Sequence, residues 1–234
     1  MRLNKFISEK GLCSRREADQ WITEGRVRIN GVRAELGMQV ADGDEVRVDD
    51  RLVGARQQKH VYIALNKPRG ITCTTDRNIA GNIVDFVDHD ERIFPIGRLD
   101  KDSEGLILLT SDGDIVNGIL RAENNHEKEY LVTVDRPVTP EFLARMARGV
   151  RLPELNRTTR PCRLSRAGER SFRIILTQGL NRQIRRMCEV FGYEVRRLQR
   201  LRIMHIKLGE LKPGRWRNLG AAELQGLLPP ARRP

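Results

Sequence analysis

The apolar positions of the first 25 residues follow a helical spacing in two short segments. Leu3, Phe6 and Ile7 predict an amphipathic helix that ends at Gly11. The segment 14–17, SRRE, predicts a capping box at the start of a second helix, because the serine hydroxyl and the glutamate carboxylate can each bind the other's backbone N–H. A compact pair of helices is therefore expected at the beginning of the chain.

Alternating apolar positions after this helix pair predict short strands. Val27–Ile29 and 45–48 alternate between apolar and polar residues, and Asn30-Gly31 is typical of a tight hairpin turn. We therefore expect residues 1–50 to form one small α–α–β domain. Residues 51–60 lack periodicity and are interpreted as a linker, and residues 61–234 as a second domain.

The second domain has strand and helix patterns in an irregular order. Strands are predicted at 61–65, 105–110, 130–134 and 172–176. Helices are predicted at 140–149, where a proline occupies the first turn, and at 181–191, where apolar residues have i, i+3, i+4, i+7 spacing. Because the elements do not alternate as in βαβ units, the pattern favours an α+β fold on a mixed, mainly antiparallel sheet.

Basic residues are concentrated toward the carboxyl-terminal end. The 234 residues include 43 Lys and Arg against 31 Asp and Glu, a formal net charge of +12. Residues 141–234 hold 22 basic and 7 acidic side chains, and 20 of the basic ones are Arg. Arginine binds phosphate and base edges through a planar fork, so nucleic acid is the favoured partner. A generic basic surface is the alternative.

The composition also excludes several classes of protein. No run approaches the ~18 apolar residues of a membrane span, and the first residues lack the apolar core of a secretory signal. The four cysteines are far apart, without Cys-x-x-Cys spacing, and no P-loop or GxGxxG motif is present. We therefore expect a cytoplasmic protein that does not bind membranes.

Seven arginines between positions 182 and 202 predict contacts with phosphate. Arg182, Arg185 and Arg186 are expected on the polar face of the helix 181–191, and the others follow it. Like charges crowded on one face repel each other unless an anion meets them. The alternative is a solvated helix face with local ion pairs to Glu189 and Glu194.

The segment 97–104, GRLDKDSE, places three acidic residues in a turn before an apolar strand. A rigid strand holds such a loop in place, so the position suits a catalytic site. Asp100 and Asp102 could bind a metal ion or act as acid and base, and turn formation is the alternative. The four histidines have no metal-binding spacing.

Four motifs, in order, resemble known protein families. RLNKFISEKGLCSRREADQWITEGRVRING resembles the S-four-type RNA-binding domain. The segments GRLDKDSEGLILLTSDGD, HEKEYLVTVD and QGLNRQIRRMCEVFGYEVRRLQRLRI resemble motifs of the RsuA/RluB/RluE/RluF family of bacterial pseudouridine synthases, and FPIGRLDKDS with NHEKEYLVTVDRPVT is most similar to its RluF branch. The resemblance covers essentially residues 1–220.

This resemblance implies a reaction and three catalytic residues. Asp100 corresponds to the catalytic aspartate, Tyr130 to the tyrosine that stacks on the target base, and Arg185 to the arginine that pairs with the aspartate. Asp102 falls where the family has no requirement, so the metal interpretation is dropped. The family converts uridine to pseudouridine after flipping the base out of its stack, and it needs no metal or organic cofactor.

The expected partner is RNA, and the expected protein is a monomer. The side chains expected to contact RNA are Lys5, Ser14, Arg15, Arg16, Arg26, Asn30, Arg98, Lys128, Arg182, Arg186, Arg196, Arg197, Arg200 and Arg202. The expected substrate is 23S ribosomal RNA, free or in a ribosome-assembly intermediate. The alternatives are a tRNA anticodon stem-loop with the same chemistry, and a non-catalytic RNA-binding assembly factor, which would lack one of the three catalytic residues.

Overall fold

The computed structural model describes residues 1–54, 60–120 and 126–228, without the side chains of 117, 118 and 120. The chain divides into two compact units: Met1–Val61 with Ser111–Gly113, and Tyr62–Thr110 with the chain from Asp114 onward. No helix within the described ranges is long and apolar enough to cross a membrane.

The first unit packs two helices against a small antiparallel sheet of order β2-β1-β3-β4. Its elements are α1 (Leu3–Glu9), α2 (Arg15–Thr23), β1 (Val27–Ile29), β2 (Val32–Arg33), β3 (Val46–Val48) and β4 (Arg51–Leu52). The capping box is confirmed, because the Glu17 backbone N–H donates to Ser14 Oγ at 3.1 Å and the Ser14 N–H donates to Glu17 Oε2 at 2.7 Å. The hairpin turn is also confirmed, with left-handed backbone at both of its residues.

The predicted linker overlaps the first unit. Its first two residues form β4, and Val53 is buried in the core of this unit. Residues 55–59 of the linker lie outside the described residues. The strand β4 pairs with β3, so the small sheet extends past the boundary expected at residue 50.

Within the described residues, the second unit is built on a sheet of nine strands. Its strands are β5 (Tyr62–Lys67), β6 (Phe94–Ile96), β7 (Glu104–Thr110), β8 (Lys128–Val134), β11 (Arg163–Gly168), β12 (Ser171–Leu176), β13 (Val195–Ile203), β14 (Ile206–Lys207) and β15 (Trp216–Asn218), with a separate ribbon of β9 (Arg151–Leu152) and β10 (Arg157–Thr158). Its helices are α3 (Ile83–Val87), α4 (Gly113–Leu120), α5 (Pro140–Ala147), α6 (Gln183–Val190) and α7 (Ala221–Leu227), and a 3-10 turn covers Pro153–Leu155.

The large sheet runs β11-β12-β8-β13-β7-β5-β15, with β14 added to β13 and β6 added to β7. Every pairing within it is antiparallel except that of β13 with β7, which is parallel at Gln199–Glu104 and Arg200–Gly105. The expected α+β fold on a mixed, mainly antiparallel sheet is confirmed. Helices α5 and α6 cover one half of the sheet through a core that includes Phe142 and Met187.

Gly105 allows the parallel contact at the centre of the sheet. Its φ of +101° lies in a region that L side chains rarely adopt. A Cβ at this position would lie 2.3 Å from the carbonyl oxygen of Arg200 and 2.7 Å from its nitrogen. The absence of a side chain therefore lets the backbones of β7 and β13 meet.

We expect Gly105→Ala to lower the free energy of unfolding by about 2–4 kcal/mol, because strain and a backbone clash add together. Urea unfolding followed by circular dichroism measures this loss. Gly70→Ala is the matched control, since Gly70 has a φ of +90° but open space where a Cβ would lie, and should lose only about 1 kcal/mol to strain. Equal losses at the two sites would contradict a role for the close approach.

Candidate active site

Asp100 lies in the turn between β6 and β7, at the edge of a cavity of about 340 Å³ in the second unit. The carbonyl of Asp100 accepts from the Ser103 N–H at 3.0 Å, which closes the turn. The Asp100 carboxylate is one-third exposed. Tyr130 lines the same cavity from β8, so the structure brings together two of the three predicted catalytic residues.

The turn after Asp100 is held by its backbone carbonyls. The Gly70 N–H donates to the Lys101 carbonyl at 2.8 Å. The Asp102 carbonyl accepts from Arg69 Nε at 3.1 Å and from Arg185 Nη2 at 3.3 Å. Three donors from two separate segments therefore fix the position of this turn.

Lys67, which the sequence analysis did not single out, supports one of those segments. Its side chain is fully buried, and Nζ donates to the carbonyls of Pro68 at 2.9 Å and Ile71 at 2.8 Å. Burial lowers the pKa of the Lys67 ammonium. The ammonium thus organises the loop that carries Arg69 and Gly70. The sequence signal was a lysine at the end of a strand, a pattern that many exposed lysines share.

Arg185 is not on the polar face of its helix, so that prediction is wrong. The helix α6 begins at Gln183, and Arg185 is only 7% exposed. Its Nη1 donates to the Val195 carbonyl at 3.1 Å, and its Nη2 also lies 3.4 Å from Ser103 Oγ. Backbone acceptors outside the helix make a buried guanidinium acceptable there.

The ion pair to Asp100 comes from Arg182 and not from Arg185. Arg182 precedes α6 with a left-handed φ of +49°, and its Nη1 lies 3.9 Å from Asp100 Oδ2 and 3.9 Å from Asp102 Oδ2. Burial and the charge of Arg182 lower the pKa of Arg185, while Asp100 acts on that pKa in the opposite direction. Arg185 therefore lies in the field of Asp100 without pairing directly with it.

Arg200 is also buried, which corrects its assignment as a surface contact for RNA. It is 3% exposed, and its Nε donates to the Leu106 carbonyl at 2.7 Å. On the sheet it is paired with Tyr130, and its guanidinium carbon lies 5.9 Å from the centre of the Tyr130 ring. Arg200 therefore forms part of the cavity wall next to the tyrosine.

Other arginines expected to contact RNA take part in ion pairs. Arg196 pairs with Glu194, Arg197 with Glu104, Arg186 with Glu154, and Arg202 with both Glu127 and Glu129. The Arg196 and Arg197 side chains are more than half exposed, whereas that of Arg202 is 17% exposed. In the exposed pairs an RNA phosphate can replace the carboxylate as the partner of the arginine at little cost in free energy.

In the first unit the candidate RNA contacts lie on helices, strands and turns. Lys5 pairs with Glu9 on α1, Arg26 pairs with Asp49, and Asn30 Nδ2 donates to Asp44 Oδ1 at 2.8 Å. Ser14 caps α2, and Arg15 and Arg16 are exposed in its first turn. In the second unit Arg98 is exposed at the cavity and Lys128 is half-buried in its wall.

No three His, Cys, Asp or Glu side chains in the described part of the chain lie close enough together to hold one metal ion.

The model of the family described as RNA pseudouridylate synthase matches residues 61–190, and the S4 domain model matches residues 1–46. The chain belongs to the RNA pseudouridylate synthase family. It is thus a pseudouridine synthase with an amino-terminal S4 domain.

Curated relatives and a solved structure agree with this assignment. This pseudouridine synthase is 58% identical over 224 residues to the "Dual-specificity RNA pseudouridine synthase RluF" of Salmonella typhi, a match that covers 95% of this chain and 77% of the relative. It is 34% identical to the "Ribosomal large subunit pseudouridine synthase B" of Bacillus subtilis, over 97% of this chain and 95% of that one. A crystal structure of a pseudouridylate synthase superposes with a TM-score of 0.72 at 32% identity, over 97% of this chain and all of the other.

Glu129 ties β8, the strand that carries Tyr130, to its two neighbours. Its carboxylate accepts from Arg173 on β12 at 2.9 Å and from Arg202 on β13 at 3.0 Å. Burial alone would raise the pKa of Glu129, but the two guanidinium hydrogen bonds outweigh it, and the pKa lies below its ordinary value of 4.5.

A carboxyl whose pKa is lowered by folding stabilises the folded state above its unfolded pKa and loses this effect as the pH falls through its folded pKa. We therefore expect Glu129→Gln to cost about 1–2 kcal/mol of unfolding free energy at pH 7, and the difference from the wild type to shrink below pH 4.5. Urea unfolding at pH 7 and at acid pH measures both values. Glu141→Gln, at an exposed pair, is the control that should change neither.

Proposed function

We propose that this pseudouridine synthase isomerises a specific uridine in structured RNA through the carboxylate of Asp100, after the target base has been flipped into the cavity. The observation that carries this proposal is that Asp100 and Tyr130 line one cavity, with the turn after Asp100 fixed by three hydrogen bonds to its backbone carbonyls. The isomerisation is redox-neutral, so Asp100 can act without an organic cofactor.

The role proposed for Asp100 follows from the bond that must break. The bond from ribose C1′ to uracil N1 is cleaved, and a bond from C1′ to C5 is formed. A carboxylate beside the sugar can attack C1′ or remove the 2′ proton. Arg182 Nη1 lies 3.9 Å from the Asp100 carboxylate, and the buried Arg185 guanidinium donates to the backbone of the turn that carries it.

Tyr130 is proposed to stack on the flipped base. A uridine within a helix cannot reach Asp100, and taking it out of its stack costs a few kcal/mol. An aromatic ring in the cavity wall recovers part of this cost by stacking. Tyr130 is half-buried and faces the same cavity as the carboxylate, which suits that role.

We propose 23S ribosomal RNA as the main substrate and a tRNA anticodon stem-loop as a second one. The relative from Bacillus subtilis is named for the ribosomal large subunit, and the relatives from Salmonella typhi and Escherichia coli K12 are named as dual-specificity enzymes. The S4 domain is proposed to dock the RNA, with the exposed Arg15 and Arg16 at the start of α2 as phosphate contacts.

Asp100→Asn should abolish pseudouridine formation while RNA affinity changes less than threefold. The carboxamide has nearly the same size but is neither a nucleophile nor a base. The measurement is tritium release from transcripts of 23S rRNA and tRNA labelled at uridine C5, together with filter binding. Asp102→Asn is the matched control, since it lies two residues away on the same turn and should keep most of the activity. Activity in the Asp100 variant would refute the proposed mechanism.

Tyr130→Phe should retain most of the RNA affinity, because the aromatic face that stacks on the base is kept. If the hydroxyl moves a proton during the reaction, the single-turnover rate should fall by about 10²-fold. Tyr130→Leu removes the stacking face and should weaken both binding and rate. A rate equal to wild type in the phenylalanine variant would limit Tyr130 to stacking, and an unaffected leucine variant would refute its role altogether.

A further inference from the structure

The cavity beside Asp100 contains more positive charge than its carboxylate can balance. Among the described residues that line it, four are cations, Arg98, Lys128, Arg182 and Arg200, and Asp100 is the one acid. Arg182 pairs with Asp100, and Arg98 is exposed at the surface. Lys128 and Arg200 remain as two cations inside the wall.

Lys128 lies in apolar surroundings. Its cross-strand neighbours are Leu176 on β12 and Ile203 on β13, and both are buried. Within the part of the chain that the structure describes, its Nζ donates to the His126 carbonyl alone, at 3.2 Å, so two of its three N–H groups have no acceptor there. Burial, and then the charge of Arg200, lower the pKa of Lys128.

The two described carboxylates next to Lys128 in the sequence point away from it. Glu127 directly precedes β8 and Glu129 follows Lys128 on it, and alternate residues of an extended chain face opposite sides of the sheet. Both are paired with arginines on that other side. Arg200 Nη2 is fully buried and has no hydrogen-bond partner in the part of the chain that the structure describes. Within residues 1–54, 60–120 and 126–228, the one acid that lines this wall, Asp100, is paired with Arg182, and no carboxylate pairs with Lys128 or Arg200.

We propose that Lys128, together with the buried charge of Arg200, stabilises the negative charge that the uracil ring acquires when its bond to ribose breaks. This inference rests on the proposed roles of Asp100 and Tyr130. Lys128 is two residues from Tyr130 on the same face of β8, and Arg200 is paired with Tyr130 across the sheet. A base stacked on Tyr130 would therefore lie in the cavity that both cations line.

The electrons balance without any added reactant. When the C1′–N1 bond breaks, its electron pair stays on uracil and spreads over N1, O2 and O4. At the same time the Asp100 carboxylate either bonds to the electron-poor C1′ or removes the 2′ proton. After the ring has turned, C5 bonds to C1′ while the Asp100–C1′ bond breaks, or while Asp100 returns the 2′ proton to C2′. The proton on C5 then leaves to water, and N1 takes up a proton. Lys128 Nζ donates to a ring oxygen, where it binds the charged ring more strongly than the neutral base. A preorganised donor of this kind accelerates the chemical step.

The test compares Lys128→Met with wild type under single-turnover conditions, on an RNA transcript that the wild type modifies. We expect the rate of pseudouridine formation to fall by about 10²-fold, with unchanged RNA affinity and with unfolding free energy equal to or above that of wild type, because an ammonium disfavoured by burial is removed. Lys128→Arg should recover part of the rate. Lys207→Met, at an exposed lysine on β14, is the matched control.

A second substrate probes the charge on the ring itself. Fluorine at C5 withdraws electrons and makes the detached ring a more stable anion, so the loss of rate in Lys128→Met should be several times smaller on a transcript that carries 5-fluorouridine. Because C5 of the rearranged 5-fluorouridine has no proton to lose, its N1=C6 bond adds water instead, so the measured rate is the loss of the starting nucleoside. Nuclease digestion and chromatography of the nucleosides follow this loss for both substrates.

Three outcomes would overturn the proposal: a rate within twofold of wild type, an equal loss on the two transcripts, or a loss of affinity with an unchanged rate, which would make Lys128 a phosphate contact. Activity in Asp100→Asn would instead refute the underlying mechanism.

Discussion

The parallel contact between β7 and β13 is the constraint on which the active site depends. It joins the strands that carry the Asp100 turn to the strands that carry Tyr130, and it exists because Gly105 presents no Cβ to the backbone of Arg200. The turn that ends at Glu104 is thereby placed beside the face of β8. A shift of β13 by one residue would turn the side chains of Arg200 and its neighbours to the other side of the sheet.

Burying several positive charges around this site lowers the stability of the folded protein. Lys67, Lys128, Arg185 and Arg200 are cations in partly or fully buried positions, and burial disfavours charge. Two of them, Lys67 and Arg185, are compensated by backbone carbonyls and serve to position the turn. Arg200 also donates to two carbonyls, but its Nη2, like Arg185 Nε, has no acceptor among the described residues, and Lys128 donates there to one carbonyl alone. Such incomplete compensation is expected where an enzyme binds an anion that exists only during the reaction.

Features set by neighbours in the sequence were predicted well, and features set by distant residues were not. The capping box at Ser14 and the hairpin at Asn30 depend on a few adjacent residues, and both are present. The helical spacing around Arg185 marks which side of α6 is apolar, but it carries no information about the Ser103 turn that covers another side. The burial of Arg200 likewise depends on β7, about a hundred residues earlier in the chain.

The hydrogen bonds that hold the Asp100 turn have a consequence for its evolution. The donors from Arg69, Gly70 and Arg185 all bind main-chain carbonyls, which every amino acid supplies. The exposed side chains of residues 101 and 102 do not accept these hydrogen bonds. Mutations there can therefore alter charge and shape next to the reactive carboxylate without displacing it. Substitutions in the turn can therefore adapt it to a different RNA surface while the reaction at Asp100 is retained.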